Sequence, residues 1–335
     1  MFPEKIEKAF GLHLEAIQLL QNALSTSFIE AYIENVENVL DEYQVRVQND
    51  QPDEVTTKQI EGLYEALQEQ ALEPEEIRKL SQLLLLKGSK TEQLQPNHQL
   101  TPDGIGFLFV YLIEQLFAKE ETLSLFDPAV GMGNLILTAL TNLTLAKRVV
   151  KGFGVDIDET LLAVAAADAQ WTQSDLTLYH QDALQDLLVD PVDVVLSDLP
   201  VGYYPNDEQA QSFLTGVSEG HSYAHHLLIE QGMNYTKENG YGLFLVPSNF
   251  LESEQGTQLK QLFTEKVYLQ GIIQLPDELF LNKASRKSII LLQKHGEYSK
   301  QVPEVLVAKL ATLKDPVKIT EFFTQFEDWK ASNLV

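Results

Sequence analysis

From Leu123 onward, short apolar runs alternate with longer amphipathic ones, and this alternation limits the possible folds more than any other feature. Runs of strand length lie at residues 123–129, 150–157, 176–181, 192–197, 241–246, 268–275 and 288–293. Helical patterns fall between them at 134–146, 159–171, 221–236 and 252–263. Connections long enough to hold a helix join parallel strands, so the expectation is an α/β fold. It has seven strands in a mainly parallel, Rossmann-like sheet with helices on both faces.

In such sheets a ligand binds beyond the carboxyl ends of the strands. The first strand ends in Asp127 and Pro128, followed by two glycines, Gly131 and Gly133, and then the helical run from Leu135. Glycine at a strand-to-helix turn tolerates positive φ and lets a ligand approach the backbone, while the N–H groups opening the helix attract a polar or anionic group. The second strand ends in Asp156 and Asp158, the third in Asp182, and the fourth in Ser197, Asp198, Leu199 and Pro200. A single such acid is an ordinary loop residue or helix cap, but four on successive strand ends suit an adenosine-bearing ligand. A second-strand acid can accept from ribose hydroxyls and a third-strand acid from an adenine amine. Dinucleotide enzymes share the second-strand acid, but here Ile136 replaces the third glycine of GxGxxG, and that fold does not call for Asp182. S-adenosylmethionine fits the pattern better than a dinucleotide.

Residues 1–95 read as a separate all-helical domain, with 96–335 forming the catalytic one. Ile6, Phe10, Ile17, Leu20 and Leu24 recur at helical spacing, as do Phe28, Tyr32, Val36, Val39 and Tyr43. Shorter helices are expected at 58–72 and after Pro74, with a loop at 49–53. The two long helices offer stripes that bury within the chain or against a second copy. The chain has no cysteine, which excludes disulfides and thiolate metal sites. His221 and His225 stand one helical turn apart with no carboxylate motif beside them, and no metal is expected. No apolar run reaches membrane-spanning length, and acids stand where a signal peptide carries bases, so a cytoplasmic location is expected.

The motifs in order resemble those of the class I S-adenosylmethionine-dependent methyltransferases, and among them the adenine-specific amino methylases related to the type I restriction-modification methylation subunit. HQLTPDGIG, with Thr101 and Pro102, resembles the threonine-proline motif that lies against the methionine part of the cofactor. DPAVGMGN resembles the glycine motif, and NGYGLFLVPSNFL the fifth-strand segment. By this matching the cofactor S-adenosylmethionine is held by Thr101, Pro102, Asp127, Pro128, Gly131, Gly133, Asn134, Asp156, Ile157, Asp182 and Ala183, with Asp156 on the ribose and Asp182 on the adenine. The resemblance also implies a sheet order of 3-2-1-4-5-7-6 with the seventh strand antiparallel.

The family's catalytic turn, N-P-P-Y or D-P-P-Y, is here Asp198, Leu199, Pro200, Val201. The resemblance assigns the acceptor amine to the Asp198 side chain and the Leu199 carbonyl, beside Pro200. The stacking ring is missing at Val201, and Tyr203 or Tyr204 is its candidate replacement. A net charge of −25 works against a polyphosphate partner, because Lys and Arg supply most of that affinity. The one basic cluster runs from Lys283 through Arg286, Lys287 and Lys294 to Lys300, and either contacts phosphate or keeps a connection soluble. Beyond Lys294 a short strand at 305–308 and a helix at 319–329 leave no segment to read a DNA sequence. The leading reading is an adenine N6 methyltransferase acting on DNA, or on RNA, that binds weakly alone and relies on a specificity or other protein subunit. The alternatives are a non-catalytic cofactor-binding or partner-binding protein with a degenerate turn, and an amine methylase of a non-nucleic-acid substrate.

Overall fold

The computed structural model describes residues 4–92 and 98–334. Its first layer is four helices, α1 (Glu4–Leu24), α2 (Phe28–Leu40), α3 (Glu54–Gln68) and α4 (Pro74–Thr91). Local chemistry sets their starts. Ser27 and Glu30 form a reciprocal capping box on α2, Asp53 accepts from the Thr56 N–H at 2.8 Å, and Pro74 opens α4 where its missing N–H costs nothing. The Asp53 cap explains why α3 begins earlier than the apolar pattern suggests.

Ile17, Leu20, Tyr32, Val36, Ile60, Leu80 and Leu84 are buried in this layer, and their cluster takes in Leu161, Val164 and Trp171 of α7 (Glu159–Trp171). The stripes offered by the two long helices are therefore buried within the chain. The buried Arg78 guanidinium adds a polar tie. It reaches Glu75, Asp103 at 3.0 Å and the Thr138 hydroxyl at 3.2 Å, crossing from α4 to α5 (Asp103–Leu116) and α6 (Asn134–Leu145).

Among the described residues, eight strands form one sheet. They are β1 (Thr122–Asp127), β2 (Val149–Asp156), β3 (Leu176–His180), β4 (Val192–Asp198), β5 (Thr236–Pro247), β6 (Val267–Gln274), β7 (Lys287–Lys294) and β8 (Leu306–Lys309). Their order is β3-β2-β1-β4-β5-β7-β6-β8, with β7 antiparallel to both neighbours and every other pairing parallel. The first seven places agree with the order implied by the resemblance. The sheet corrects the count of seven, since β8 lies along the outer edge of β6, covering N–H and C=O groups that would otherwise stay unpaired.

One face of the sheet carries α5, α6 and α11 (Pro316–Asn333), whose Phe322, Phe326 and Trp329 are core anchors. The other carries the short α8 (Asp207–Ala210), α9 (Ala224–Asn234) and α10 (Gly256–Glu265). Helix α5 escapes the sequence reading because Ile105, Leu108, Phe109, Val110, Leu112 and Ile113 are all buried, so no polar face marks a period. Strand β1 lies between β2 and β4, where the strand order reverses and an open α/β sheet leaves a crevice.

Candidate active site

At that crevice the chain after β1 turns tightly. The Val130 N–H donates to the Val155 carbonyl at 3.0 Å, and Gly131 and Gly133 take φ of +52° and +79° before α6 begins. A side chain at Gly133 would press on Ala165, 3.1 Å from an added Cβ. At Gly131 an added Cβ would meet no atom within 4 Å, so the backbone there faces open space. Asp156, the last residue of β2, accepts the Gly131 N–H at 2.8 Å through Oδ2 and the Asp158 N–H at 3.0 Å through Oδ1, and so fixes the shape of the turn.

Asp127 is buried under the same turn. Its Oδ1 accepts the Ser197 hydroxyl at 2.6 Å and the Ala129 N–H at 3.0 Å. Burial pushes its carboxyl up to about 7; the two hydrogen bonds oppose the shift, and the charges of Asp156 and Asp198 add to it. Thr101 clamps the other side. Its hydroxyl donates to Asp198 Oδ2 at 3.0 Å, and its carbonyl accepts Asn134 Nδ2 at 2.6 Å, so one residue ties the segment before α5 to both the glycine turn and the end of β4.

These elements enclose a cavity of ≈ 680 Å³. Of the predicted residues, Thr101, Pro102, Asp127, Gly131, Asn134, Asp198, Leu199 and Pro200 line it. Pro128, Gly133 and Asp156 are not among its lining residues, nor are Ile157, Asp182, Ala183 and Tyr203. Ile157 is 71% exposed, and its carbonyl meets the His180 ring at 2.9 Å. The Ala183 carbonyl accepts Gln231 Nε2 at 2.9 Å. Asp182 accepts the Leu184 N–H at 3.0 Å and the Tyr204 hydroxyl at 2.5 Å, so Tyr204 is a support for that carboxylate and does not stack in the cavity. Tyr203 stacks on Tyr223 with ring centroids 5.0 Å apart and planes within 11°. Tyr223 lines the cavity, and Tyr203, the ring expected at the catalytic turn, stands against it without lining the cavity itself.

The far half of the cavity was not legible in the strand-end pattern. It is lined by Tyr223, His225, Asn249 and Phe250, and by Arg286 and Lys287 from the start of β7. His225 Nδ1 is buried with no hydrogen-bond partner among the described residues, and burial pulls its imidazole down to about 4, with Lys287 lowering it further. His221 instead sits on the surface, 3.0 Å from Asp207. Lys287 forms an ion pair with Asp198, and Arg286 with Asp277 at 2.9 Å. Arg286 and Lys287 of the basic cluster are thus paired within the fold. Only the presence of a basic cluster could have pointed to Lys287.

A model of the N-6 DNA methylase family matches residues 86–324. The chain belongs to that family. A second model, of the YtxK N-terminal helical domain, matches residues 7–89. The chain is 40% identical over 331 residues to the uncharacterized protein YtxK of Bacillus subtilis (strain 168), covering 98% of each. It is also similar to a crystal structure of a candidate class I S-adenosylmethionine-dependent methyltransferase from Listeria monocytogenes. That match has 41% identity and a TM-score of 0.89, covering 97% of this chain and 99% of the other. The type I restriction-modification methyltransferase subunit of Streptococcus thermophilus shares the fold at 14% identity and a TM-score of 0.67, with 94% of this chain and 74% of that one covered. Membership of the methylase family agrees with a glycine turn and an acidic β4 end that open on one cavity. Among the described residues, no helix is long and apolar enough to cross a membrane, and no group of three His, Cys, Asp or Glu stands together as a metal site.

Proposed function

We propose that this chain transfers a methyl group from S-adenosylmethionine to an exocyclic amine, with adenine N6 in nucleic acid, DNA before RNA, as the acceptor. The observation that carries the reading is that Asp198 and the glycine turn after β1 border the same cavity, so a cofactor on the turn and an amine on Asp198 would meet inside it. The residues present fit such a cofactor. Gly131 leaves room for a close approach to the backbone, and Asp127 and Asp156 supply oxygens at the ends of β1 and β2. S-adenosylmethionine, when bound, supplies an electrophilic methyl group. An amine conjugated to an aromatic base is a poor nucleophile. By accepting its two N–H bonds, the Asp198 carboxylate and the Leu199 carbonyl would turn the nitrogen lone pair toward the methyl and hold it there. Tyr223 and Phe250 give apolar faces to a flat base.

The acidic surface supports reliance on a second, basic protein for contacts with the polynucleotide, as befits a fold shared with a type I restriction-modification methyltransferase subunit. The test is transfer of labelled methyl from S-adenosylmethionine by the purified chain to DNA, RNA and a cell extract. Label is expected on adenine in nucleic acid. Asp198→Ala is expected to cut turnover by about 100-fold or more while leaving cofactor affinity nearly unchanged. Label confined to protein or small molecules would move the acceptor outside nucleic acid, and no binding of S-adenosylmethionine would end the reading.

A further inference from the structure

The end of β4 carries a cation that methyl transfer to an amine does not by itself require. Lys287 reaches over β5 and donates its ammonium to Asp198 Oδ1, while the Thr101 hydroxyl holds Oδ2 at 3.0 Å. Register explains the reach. Asp198 pairs with Leu245 on one side of β5 and Lys287 with Pro247 on the other, so their backbones stand two strand spacings apart across the sheet and two residues apart along it, roughly 12 Å. Alternation places Asp198 on the face of Leu196, and Lys287 on the face of Ile289 and Leu291, which is the same face of the sheet.

The backbone around Lys287 is held on both sides. Its carbonyl accepts the Leu275 N–H at 3.3 Å, and that of Arg286 accepts the Ser248 N–H at 2.8 Å. Both side chains border the cavity and are about a quarter exposed, an environment in which an ion pair adds little to stability. The ammonium has three N–H bonds, of which one goes to Asp198. Each carboxylate oxygen has two acceptor sites, of which one is taken. The pair therefore offers the cavity a donor and an acceptor side by side.

That arrangement is complementary to the N–C–NH₂ edge of an aminated heterocycle, where a ring nitrogen accepts next to an amine that donates. We propose that Lys287 determines specificity by donating to the ring nitrogen beside the amine received by Asp198, so that the pair reads both groups together. The inference rests on the acceptor reading above and adds a residue and an edge to it. A base lacking the ring nitrogen would leave a desolvated ammonium N–H unpaired, and a site of this kind discriminates strongly against such an analogue.

The full chain is saturated with S-adenosylhomocysteine, which keeps nucleosides out of the cofactor half, and titrated with adenosine and 1-deazaadenosine. Cytidine and 3-deazacytidine form a second arm and identify which base presents the edge. In at least one arm the wild type is expected to prefer the nucleoside with the ring nitrogen by about tenfold. Lys287→Met is expected to abolish that preference while keeping affinity for the deaza analogue within about twofold, and Lys287→Arg to restore part of it. A wild-type ratio near one in both arms overturns the inference without any variant. So does a Lys287→Met variant that weakens or tightens both members of a pair equally; tightening would identify the ammonium as a plug on Asp198. Absence of nucleoside binding overturns it too, while the S-adenosylhomocysteine isotherm reports separately on the cofactor reading.

Discussion

Tyr32 on α2 donates its hydroxyl to Asp168 on α7 at 2.5 Å, and Ser81 on α4 donates to the other oxygen of that carboxylate, also at 2.5 Å. The helical layer and the sheet thus share one buried acid as well as a hydrophobic cluster. A buried carboxylate with two hydroxyl partners fixes how α2 and α4 sit on α7 more closely than apolar contact alone, because either partner lost leaves an unpaired polar atom.

This acid makes stability depend on pH. Burial pushes the Asp168 carboxyl up to about 7, against the hydrogen bonds from Ser81 and Tyr32, while in the unfolded chain it ionises in the usual carboxylate range. Between those values the folded state binds the extra proton. Its contribution is therefore full at low pH, is lost as pH rises toward 7, and is constant above that. Asp168→Asn keeps the shape and removes the titration. Denaturant melts at pH 5, 6, 7 and 8 should show the stability of the wild type relative to this variant falling from pH 5 to 7 and level from 7 to 8. A difference independent of pH would mean that Asp168 is ionised throughout.

Asp156→Ala should weaken binding of S-adenosylmethionine by about 30-fold to 1000-fold, the equivalent of roughly 2 to 4 kcal/mol for charge-assisted hydrogen bonds. The loss combines the ribose contacts proposed for this acid with its hold on the Gly131 N–H. Asp158 separates binding from folding. It caps α7 through the Thr160 and Leu161 N–H groups at 2.9 and 3.1 Å, so Asp158→Ala should cost about 1 kcal/mol of stability and leave affinity alone. Calorimetry on both variants checks the pair, and cofactor affinity within threefold of wild type for Asp156→Ala would remove the ribose assignment.

The near half of the cavity was legible in the sequence because its signals are local. A strand ending in Asp127, glycines at positive φ and an acid at each strand end can all be read within a few residues. The far half depends on contacts between distant segments. Tyr223 reaches the cavity through a bridge to Tyr203, and Lys287 through the register of β7 on β5, and neither pairing has a marker in its own neighbourhood. Asp182 lay between these cases. Its position at the end of β3 was readable, but its partner Tyr204 came from a different loop. Helix α5 was hard to read because it is apolar all round, and strand β8, read at 305–308, gave no local sign that it would join the sheet at the outer edge of β6.

If Tyr223 is the ring on which a base stacks, Tyr223→Ala should raise the KM for the acceptor by about 5-fold to 100-fold, in line with roughly 1 to 3 kcal/mol per stacked base. Tyr203→Ala removes only the ring behind it and should cost less, with Tyr203→Phe near wild type because the stacked pair is kept. Steady-state kinetics with the acceptor varied at saturating cofactor decides it. A larger KM effect from Tyr203→Ala than from Tyr223→Ala would bring Tyr203 back as the stacking residue.

Contact with nucleic acid is limited by charge. In the basic cluster, Arg286 is paired with Asp277, Lys287 with Asp198, and Lys294 Nζ donates to the Met233 carbonyl at 2.8 Å. Lys283 and Lys300 remain exposed, with no ion pair among the described residues. Two phosphate contacts would give a slope of roughly −2 in log affinity against log salt, and a protein of net charge −25 repels the polymer elsewhere. The isolated chain should therefore bind duplex DNA weakly. That binding should fall about tenfold or more between 50 and 200 mM salt and drop further on replacing Lys283 and Lys300 by Ala. Filter binding at the two salt concentrations measures both effects. Tight binding at the higher salt by the chain alone, unchanged in the double variant, would place the contact on another surface and remove the need for a basic partner to carry the polynucleotide.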